Sequence, residues 1–521
     1  MTMKRRKFLQ ASSFSIGVPM MLNGMGLSTI TKSKLFNNIN FENDRVLVLI
    51  NLVGGNDGLA TLIPMDSFDQ LANYRPNIYL PETSLLDIGD NMALHPSLGG
   101  LQSLYDDAKV NFIHDVGYPD QNRSHFRSSD IWTSGSPSNE QWTSGWLGRF
   151  FDMEVPGFPD GYPNAEFPDP IAITMGSSVS STCQGTITNF SMVVNDPFEL
   201  SDLASGGDTF VPDNYYGDEL QFLRTSVEQT NQYSEIIVDA ANSGANMVDY
   251  PDTNLAFQLK NIARLISGGL QTKVYVANIG GFDTHADQVQ EGNTTIGNHA
   301  NLMQVLGDAM KAFQNDLNAL GIADRVVGMT FSEFGRQIIS NDSNGTDHGN
   351  AAPLIVFGDC VNPGFMGEAT PLSNDVQVQE GVPLQFDFRD VYGSVLMDWF
   401  EVEESTIQSL LYNEFTYMPI LNPCTPTSID PIPDKALGLH LSCFPNPATD
   451  RINLSFDSLD ERVSARILDM AGQQVKLLFD RTLDSGNHQM SYDVSSFVSG
   501  AYLIQLETDS GRKMTSKFVK L

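Results

Sequence analysis

The chain has 521 residues, of which 41% are apolar and 18% are charged, and its formal net charge at pH 7 is -33. This length is too great for one simple hydrophobic core, so we expect two or three globular domains. The strong negative charge argues against a nucleic-acid ligand, because phosphates would be repelled in the absence of a basic patch. It fits an exported protein whose acidic side chains stay solvated.

The N-terminal segment, residues 1–37, predicts an export signal. A basic run, Lys4–Lys7, precedes a moderately apolar stretch, Phe8–Ile30, that glycines and a proline interrupt. This stretch is too weakly apolar to predict a membrane span, and it lies where export signals occur. The pattern resembles a twin-arginine (Tat) signal, which implies passage through the periplasm. No later segment is apolar enough to cross a membrane as a helix, so we expect no transmembrane span in the mature chain.

The next region, residues 42–418, predicts an α/β domain. It contains continuous apolar runs, which are typical of strands buried on both faces. These runs are Arg45–Val53, Val110–Val116, Lys273–Ile279, Val326–Phe331 and Pro353–Phe357. Helical periodicity is clearest over Ile296–Leu320, and such helices between buried strands predict a mostly parallel sheet flanked by helices. The Pro-, Gly- and Ser-rich residues 152–216 predict a long insertion.

The pattern changes after residue 418. Residues 419–439 contain five prolines and predict a linker. Residues 440–521 contain short alternating runs separated by turn signals, which predict a small all-β sandwich. Cys424 and Cys443 flank the proline-rich segment, and the sequence leaves open whether they form a disulfide.

Motifs in the last 80 or so residues resemble a known family. They are FPNPATD at 444–450, ILDMAG at 467–472, GAYL at 500–503 and KFVKL at 517–521. They closely resemble the C-terminal (Por) sorting domain of type IX secretion cargo. The resemblance implies the type IX secretion machinery as a partner and a secreted or outer-cell-surface location. The alternative is an ordinary carbohydrate-binding sandwich.

Four polar stretches follow predicted strands of the α/β domain. They are Gly54–Gly58, Asn122–Trp132, Gly280–His285 and Glu333–His348. Ligands of open α/β sheets bind beyond the carboxyl ends of the strands, where these stretches are expected to meet. Carboxylates and imidazoles in such stretches suit zinc, manganese or magnesium. Each stretch also has a plain structural interpretation: a turn at Asp57, a helix cap at Ser124, an ion pair of Glu333 with Arg336, and a turn at His348.

Five motifs within these stretches carry a second resemblance. GGNDGL, RSHF, FDTH, SEFGR and DHGN, as they stand here, resemble the Tat-exported bacterial family of unknown function DUF1501. That family is similar to the alkaline phosphatase and sulfatase superfamily, which implies an alkaline-phosphatase-like sheet. It also implies two divalent metals, zinc or manganese, flanking an activated hydroxyl that attacks phosphorus or sulfur.

The resemblance assigns roles by motif. It implies that the metal ligands are Asp57, Asp283, His285, Glu333 and His348, that the nucleophile is Ser124, and that Asn56, Arg123, His125 and Arg336 bind substrate. The chain departs from the superfamily pattern at Phe334, where a ligand histidine is usual, and no C/S-x-P-x-R motif for a formylglycine sulfatase occurs at Ser124.

The expected function is therefore metal-dependent hydrolysis of a phosphate or sulfate ester, on an anionic small molecule or a polysaccharide ester. The alternative, which the missing histidine favours, is an inactive surface binding or assembly module on the same fold. A serine hydrolase without a metal is disfavoured, because the chain has no GxSxG motif.

Overall fold

The computed structural model describes residues 44–200, 230–422, 441–444, 448–458, 461–469, 474–483, 486–508 and 513–520. The chain divides into two compact units, one ending at Thr425 and one spanning Pro426–Leu521. The predicted export signal, residues 201–216 of the predicted insertion and most of the predicted linker lie outside the described residues.

Nine of the strands described in the first unit form one mixed, mostly parallel sheet. In chain order the unit's strands are β1 (Val46–Val53), β2 (Leu62–Pro64), β3 (Leu86–Asp87), β4 (Met92–Leu94), β5 (Val110–Gly117), β6 (Ala172–Met175), β7 (Ser191–Val194), β8 (Val274–Gly280), β9 (Val326–Phe331), β10 (Ala352–Phe357), β11 (Gly364–Met366) and β12 (Phe386–Asp387). The large sheet has the order β11-β5-β10-β9-β1-β8-β6-β7, with β12 also paired to β5. Only β10 runs antiparallel to its neighbours among these described pairs. The predicted α/β class is confirmed.

Helices cover both faces of this sheet. They are α1 (Gly58–Thr61), α2 (Phe68–Tyr74), α3 (Gly99–Asp106), α4 (His125–Ser134), α5 (Trp146–Glu154), α6 (Asn254–Ser267), α7 (Asn298–Leu320), α8 (Phe388–Phe400) and α9 (Glu404–Leu410). Along β1, Val48 and Ile50 belong to a core with α3, α6 and α7, whereas Leu47 and Leu49 belong to a core with α4, α5 and α8. Burial on both faces explains why the strand sequence is continuously apolar.

The second unit consists of antiparallel strands. They are β13 (Leu441–Phe444), β14 (Arg451–Ser458), β15 (Glu461–Asp469), β16 (Gln474–Leu483), β17 (Gly486–Asp493), β18 (Gly500–Thr508) and β19 (Lys513–Lys520). They form the sheets β13-β14-β17 and β16-β15-β18-β19, whose buried side chains, including Ile452, Ile467 and Phe518, make one core. The predicted small all-β unit is confirmed. The open question of a Cys424–Cys443 disulfide is answered in the negative, because Cys443 is a free thiol that packs against this core.

Candidate metal centre

The polar stretches meet because their strands are neighbours. Strand β1 lies between β9 and β8 and is parallel to both, so the loops after all three strands leave the same edge of the sheet. The turn after β1 is tightly packed there. A Cβ atom at Gly54, where φ is +125°, would lie 2.3 Å from the backbone nitrogen of Asp283. Only glycine fits this close approach.

Atoms of four side chains converge at this edge. Nε2 of His285 lies 2.8 Å from Nε2 of His348 and 3.1 Å from Oδ1 of Asp283. Nε2 of His348 lies 3.2 Å from the same oxygen, and Nε2 of His125 lies 3.4 Å from Oδ2 of Asp283. Ligands at zinc distances of about 2.0–2.1 Å in a tetrahedron are about 3.3 Å from one another. The ligand atoms of His125, Asp283 and His348 all lie within 4.8 Å of one another, so these three residues form a possible metal site.

Each imidazole is fixed by an oxygen at its other nitrogen. Nδ1 of His125 lies 2.9 Å from a carboxylate oxygen of Glu333, and Nδ1 of His285 lies 2.8 Å from a carboxylate oxygen of Asp347. Nδ1 of His348 donates to the carbonyl of Arg123 over 2.7 Å. Since these oxygens accept hydrogen bonds, the neutral rings carry their protons on Nδ1 and direct three Nε2 lone pairs toward one another.

Glu333 lies behind His125 rather than beside the other ligand atoms. Its Oε1 also accepts a 2.8 Å hydrogen bond from the Gly54 amide, and the side chain is almost completely buried. Nε2 of His125 is buried and has no hydrogen-bond partner among the described residues. This is the usual arrangement of a metal-binding histidine that is oriented by a carboxylate. The geometry therefore suits His125 as a metal ligand and Glu333 as the carboxylate that orients it. The sequence had instead assigned His125 to substrate binding and Glu333 to the metal.

A buried arginine organises the acid of the cluster. Arg336 donates to Oδ1 of Asp283 over 2.8 Å and to the carbonyls of Gly55 and Phe282. Burial would raise the pKa of Asp283, but the hydrogen bond and charge of Arg336 outweigh it and hold that pKa below its ordinary value. The Arg336 side chain is inaccessible, so it cannot contact a substrate as predicted.

Burial also affects His348. It lowers the pKa of His348 below its ordinary value, although the hydrogen bond with the Arg123 carbonyl and the nearby carboxylate of Asp283 act in the opposite direction. A neutral imidazole is the form that binds a metal.

Asp57 lies in a different environment from the one predicted. Arg75 contacts both of its carboxylate oxygens at 2.9 and 2.8 Å, and Gln288 donates to Oδ2 over 2.6 Å. The side chain is 1% exposed. Burial would raise its pKa, but Arg75 outweighs this effect and the pKa lies below its ordinary value. The carboxylate is thus a buried ion-pair partner.

The other predicted residues are spread around the cluster. Asn56 is buried, and its side-chain oxygen accepts a 3.0 Å hydrogen bond from the Thr61 hydroxyl. Arg123 donates to Oδ1 of Asn350 over 3.0 Å and to the Gln379 carbonyl over 2.7 Å. Ser124 is the N-cap of α4; it is exposed, and its hydroxyl makes no capping hydrogen bond within the described helix.

Asp347 is a site residue that the sequence assignment omitted. It lies directly before His348 in the DHGN motif, and its carboxylate orients His285. Its position next to the candidate ligand His348 could have suggested a role in the site. Only the fold shows that it forms a hydrogen bond with a histidine of another loop.

Two family models match the chain. Residues 262–398 match the protein family of unknown function DUF1501, and residues 442–521 match the secretion system C-terminal sorting domain. Both predicted resemblances are confirmed. The DUF1501 match includes Asp283, His285, Glu333 and His348, whereas His125 precedes it. The sorting domain indicates secretion to the cell surface and involvement of the type IX machinery.

Several solved structures are similar to the chain. PsFucS1 sulfatase from Pseudoalteromonas sp. is 10% identical with a TM-score of 0.32, over 88% of this chain and 85% of that chain. A protein in the alkaline phosphatase superfamily from Vibrio parahaemolyticus is 8% identical with a TM-score of 0.28, over 88% and 81%. The C-terminal periplasmic domain of EcEptC from Escherichia coli is 11% identical with a TM-score of 0.33, over 74% and 92%. The comparison with curated proteins returns no match.

The sequence also predicted no transmembrane span in the mature chain. No helix within the described residues is both long and apolar enough to span a bilayer.

Proposed function

We propose that this protein is a cell-surface, metal-dependent hydrolase of phosphate or sulfate esters. The observation that carries the proposal is the convergence of three imidazole Nε2 atoms on the carboxylate of Asp283. Three lone pairs and a carboxylate at this separation repel one another, and a cation between them would relieve this repulsion. The three residues His125, Asp283 and His348 already offer ligand atoms within 4.8 Å of one another.

The donor set suits a zinc or manganese ion. Imidazoles favour zinc and similar transition metals, and a carboxylate is compatible with both zinc and manganese. The residues that would hold the ion are His125, Asp283, His285 and His348. When bound, such an ion supplies a Lewis acid that polarises an oxygen of the phosphate or sulfate group.

The chain itself supplies a candidate nucleophile next to this centre. Ser124 directly precedes His125, and its exposed hydroxyl lies at the N-terminal end of α4, where free backbone N–H groups favour negative charge. In the proposed reaction Ser124 Oγ forms a bond to phosphorus or sulfur while the bond to the ester oxygen breaks. The hydroxyl proton passes to the released alkoxide through solvent. Water then hydrolyses the seryl ester and releases phosphate or sulfate.

Metal content and ester hydrolysis together test this function. The parent should contain about one equivalent of metal and hydrolyse 4-nitrophenyl phosphate or 4-nitrophenyl sulfate. His348→Ala should lose both properties, and Ser124→Ala should keep the metal but lose turnover. His488→Ala, which changes a histidine of the second unit, is the matched control and should change neither. A parent that remains metal-free after growth with zinc and manganese would refute the proposal.

A second candidate is a metal-stabilised binding module without turnover. The resemblance implies two metals, but Asp57 forms an ion pair with Arg75. One possible ligand cluster then remains among the described residues, which favours this candidate. Stoichiometric metal in the parent without hydrolysis of either ester would support this alternative.

A further inference from the structure

A groove lies at the sheet edge that carries the candidate metal centre. It has a volume of about 1010 Å³ and is lined by residues at the carboxyl ends of β1, β6 and β8, among them Asn51, Met175 and Asn278. It reaches Gly281, two residues before the proposed ligand Asp283. A ligand bound in this groove would therefore approach the loop that carries Asp283.

The groove is lined by polar and apolar side chains and is uncharged. The structure describes 23 lining residues, and none is Asp, Glu, Lys, Arg or His. At the chain average of 18% charged residues, 23 residues would include about four (0.18 × 23). Asparagine, glutamine, serine and threonine supply most of the polar atoms, including those of Asn254, Asn298 and Asn301. Such a surface offers no counter-charge to an anion or a cation, and a lipid chain would leave its amide and hydroxyl groups without hydrogen-bond partners.

A second groove continues from the first and contains aromatic side chains. The two share Thr133 and Ser181, and the second has a volume of about 670 Å³. Phe126 and Trp142 line it, and the Phe126 side chain is 92% exposed. The two charged residues that line this groove, Arg127 and Asp130, form an ion pair with each other, so it too presents no net charge.

We propose that these two grooves bind a neutral, hydroxyl-rich glycan segment. Amide and hydroxyl side chains both donate and accept hydrogen bonds, as sugar hydroxyls do. An exposed aromatic ring, such as that of Phe126, can pack against the apolar face of a sugar ring. The glycan-binding claim stands on the grooves alone. Only the further placement of an ester group of that glycan at the metal centre rests on the proposed function.

Calorimetric titration of the full chain with six-unit oligosaccharides tests this proposal. The probes are neutral gluco-, galacto- and manno-oligosaccharides, with oligogalacturonate as the anionic comparison. We expect at least one neutral probe to bind, and Phe126→Ala to weaken it by about tenfold through loss of ring packing. Phe257→Ala is the matched control, because Phe257 is 44% exposed and lines neither groove.

The outcomes separate this inference from the proposed function. His348→Ala should lose metal but retain glycan binding. A parent that binds glycan but contains no metal would refute the hydrolase proposal and leave the groove assignment intact. The assignment is overturned if no neutral probe binds, if oligogalacturonate binds as tightly as the neutral probes, or if Phe126→Ala and Phe257→Ala weaken binding equally.

Discussion

At the scale of single residues, His125 changes the interpretation of the site. The sequence placed it with substrate-binding groups, because it follows Ser124 and Arg123 in the RSHF motif. Its Nδ1 is held by Glu333 and its Nε2 lies toward Asp283, so its position suits a metal ligand better than a substrate-binding group.

This interpretation ranks two variants by their zinc affinity. Glu333→Gln should weaken zinc binding by roughly 10–100-fold, the usual effect of losing a supporting carboxylate. His125→Ala removes a ligand atom and should weaken binding further. Competition with a chromophoric chelator measures both affinities. The reverse order would mean that Glu333 is the ligand and His125 is not.

Asp57 gives a prediction about stability. Asp57→Ala leaves the Arg75 charge buried and unpaired, so the free energy of unfolding should fall by about 3–5 kcal/mol. Urea titration of the parent and the variant measures the change. The control is Asp57→Ala combined with Arg75→Ala, which should be less destabilised than the sum of the two single variants. A fully stable Asp57→Ala protein that had lost metal would instead support the predicted ligand role.

At the scale of elements, a buried histidine pair joins α7 to the loop before α3. The rings of His95 and His299 pack edge to face with centroids 5.5 Å apart. Burial lowers the pKa of His95 to about 3 and that of His299 to about 4. His299 lies in the first turn of α7, where the helix dipole also disfavours a positive charge.

These lowered values predict acid sensitivity. The unfolded histidines have ordinary pKa values of 6.5, so below that pH the unfolded state binds more protons than the folded state. The stabilisation is complete above pH 6.5 and should decrease by roughly 1 kcal/mol per pH unit for each histidine as the pH falls toward 4. Urea titrations at pH 7, 6 and 5 measure the slope. His95→Asn keeps an acceptor for the Ser97 amide and should reduce the slope of the free energy of unfolding against pH. An unchanged slope would contradict this account.

The same elements show how much the sequence could predict. The apolar run of β1 and the periodicity of α7 each followed from burial, which leaves a pattern in neighbouring residues. The pairing of Asp57 with Arg75 leaves no such pattern, because the partner lies just after α2, in a segment that carried no motif. Long-range contacts between short polar loops, such as His285 with Asp347, depend on the strand order, which the sequence alone did not supply.

At the scale of the whole molecule, the chain combines two units with separate cores. The sorting domain matches residues 442–521, within the second unit, and the proposed ligands lie in the first. Export and chemistry are therefore assigned to different units.

Removal of residues 426–521 should separate these two roles. The truncated chain should keep the metal content and the thermal unfolding transition of the first unit but should not reach the cell surface, because the sorting domain is lost. Cell fractionation with protease accessibility measures the location, and calorimetry measures the transition. The full chain is the control. Surface display of the truncated chain would contradict the assignment of export to the second unit.

The central claim is that one divalent cation lies between His125, Asp283, His285 and His348. Anomalous diffraction from crystals of the full chain, collected on both sides of the zinc and manganese absorption edges, tests it most directly. The account predicts one anomalous peak about 2.0–2.2 Å from the three Nε2 atoms and a carboxylate oxygen of Asp283. A metal-loaded crystal with its peak beside Asp57, or with His125 outside the coordination shell, would contradict it.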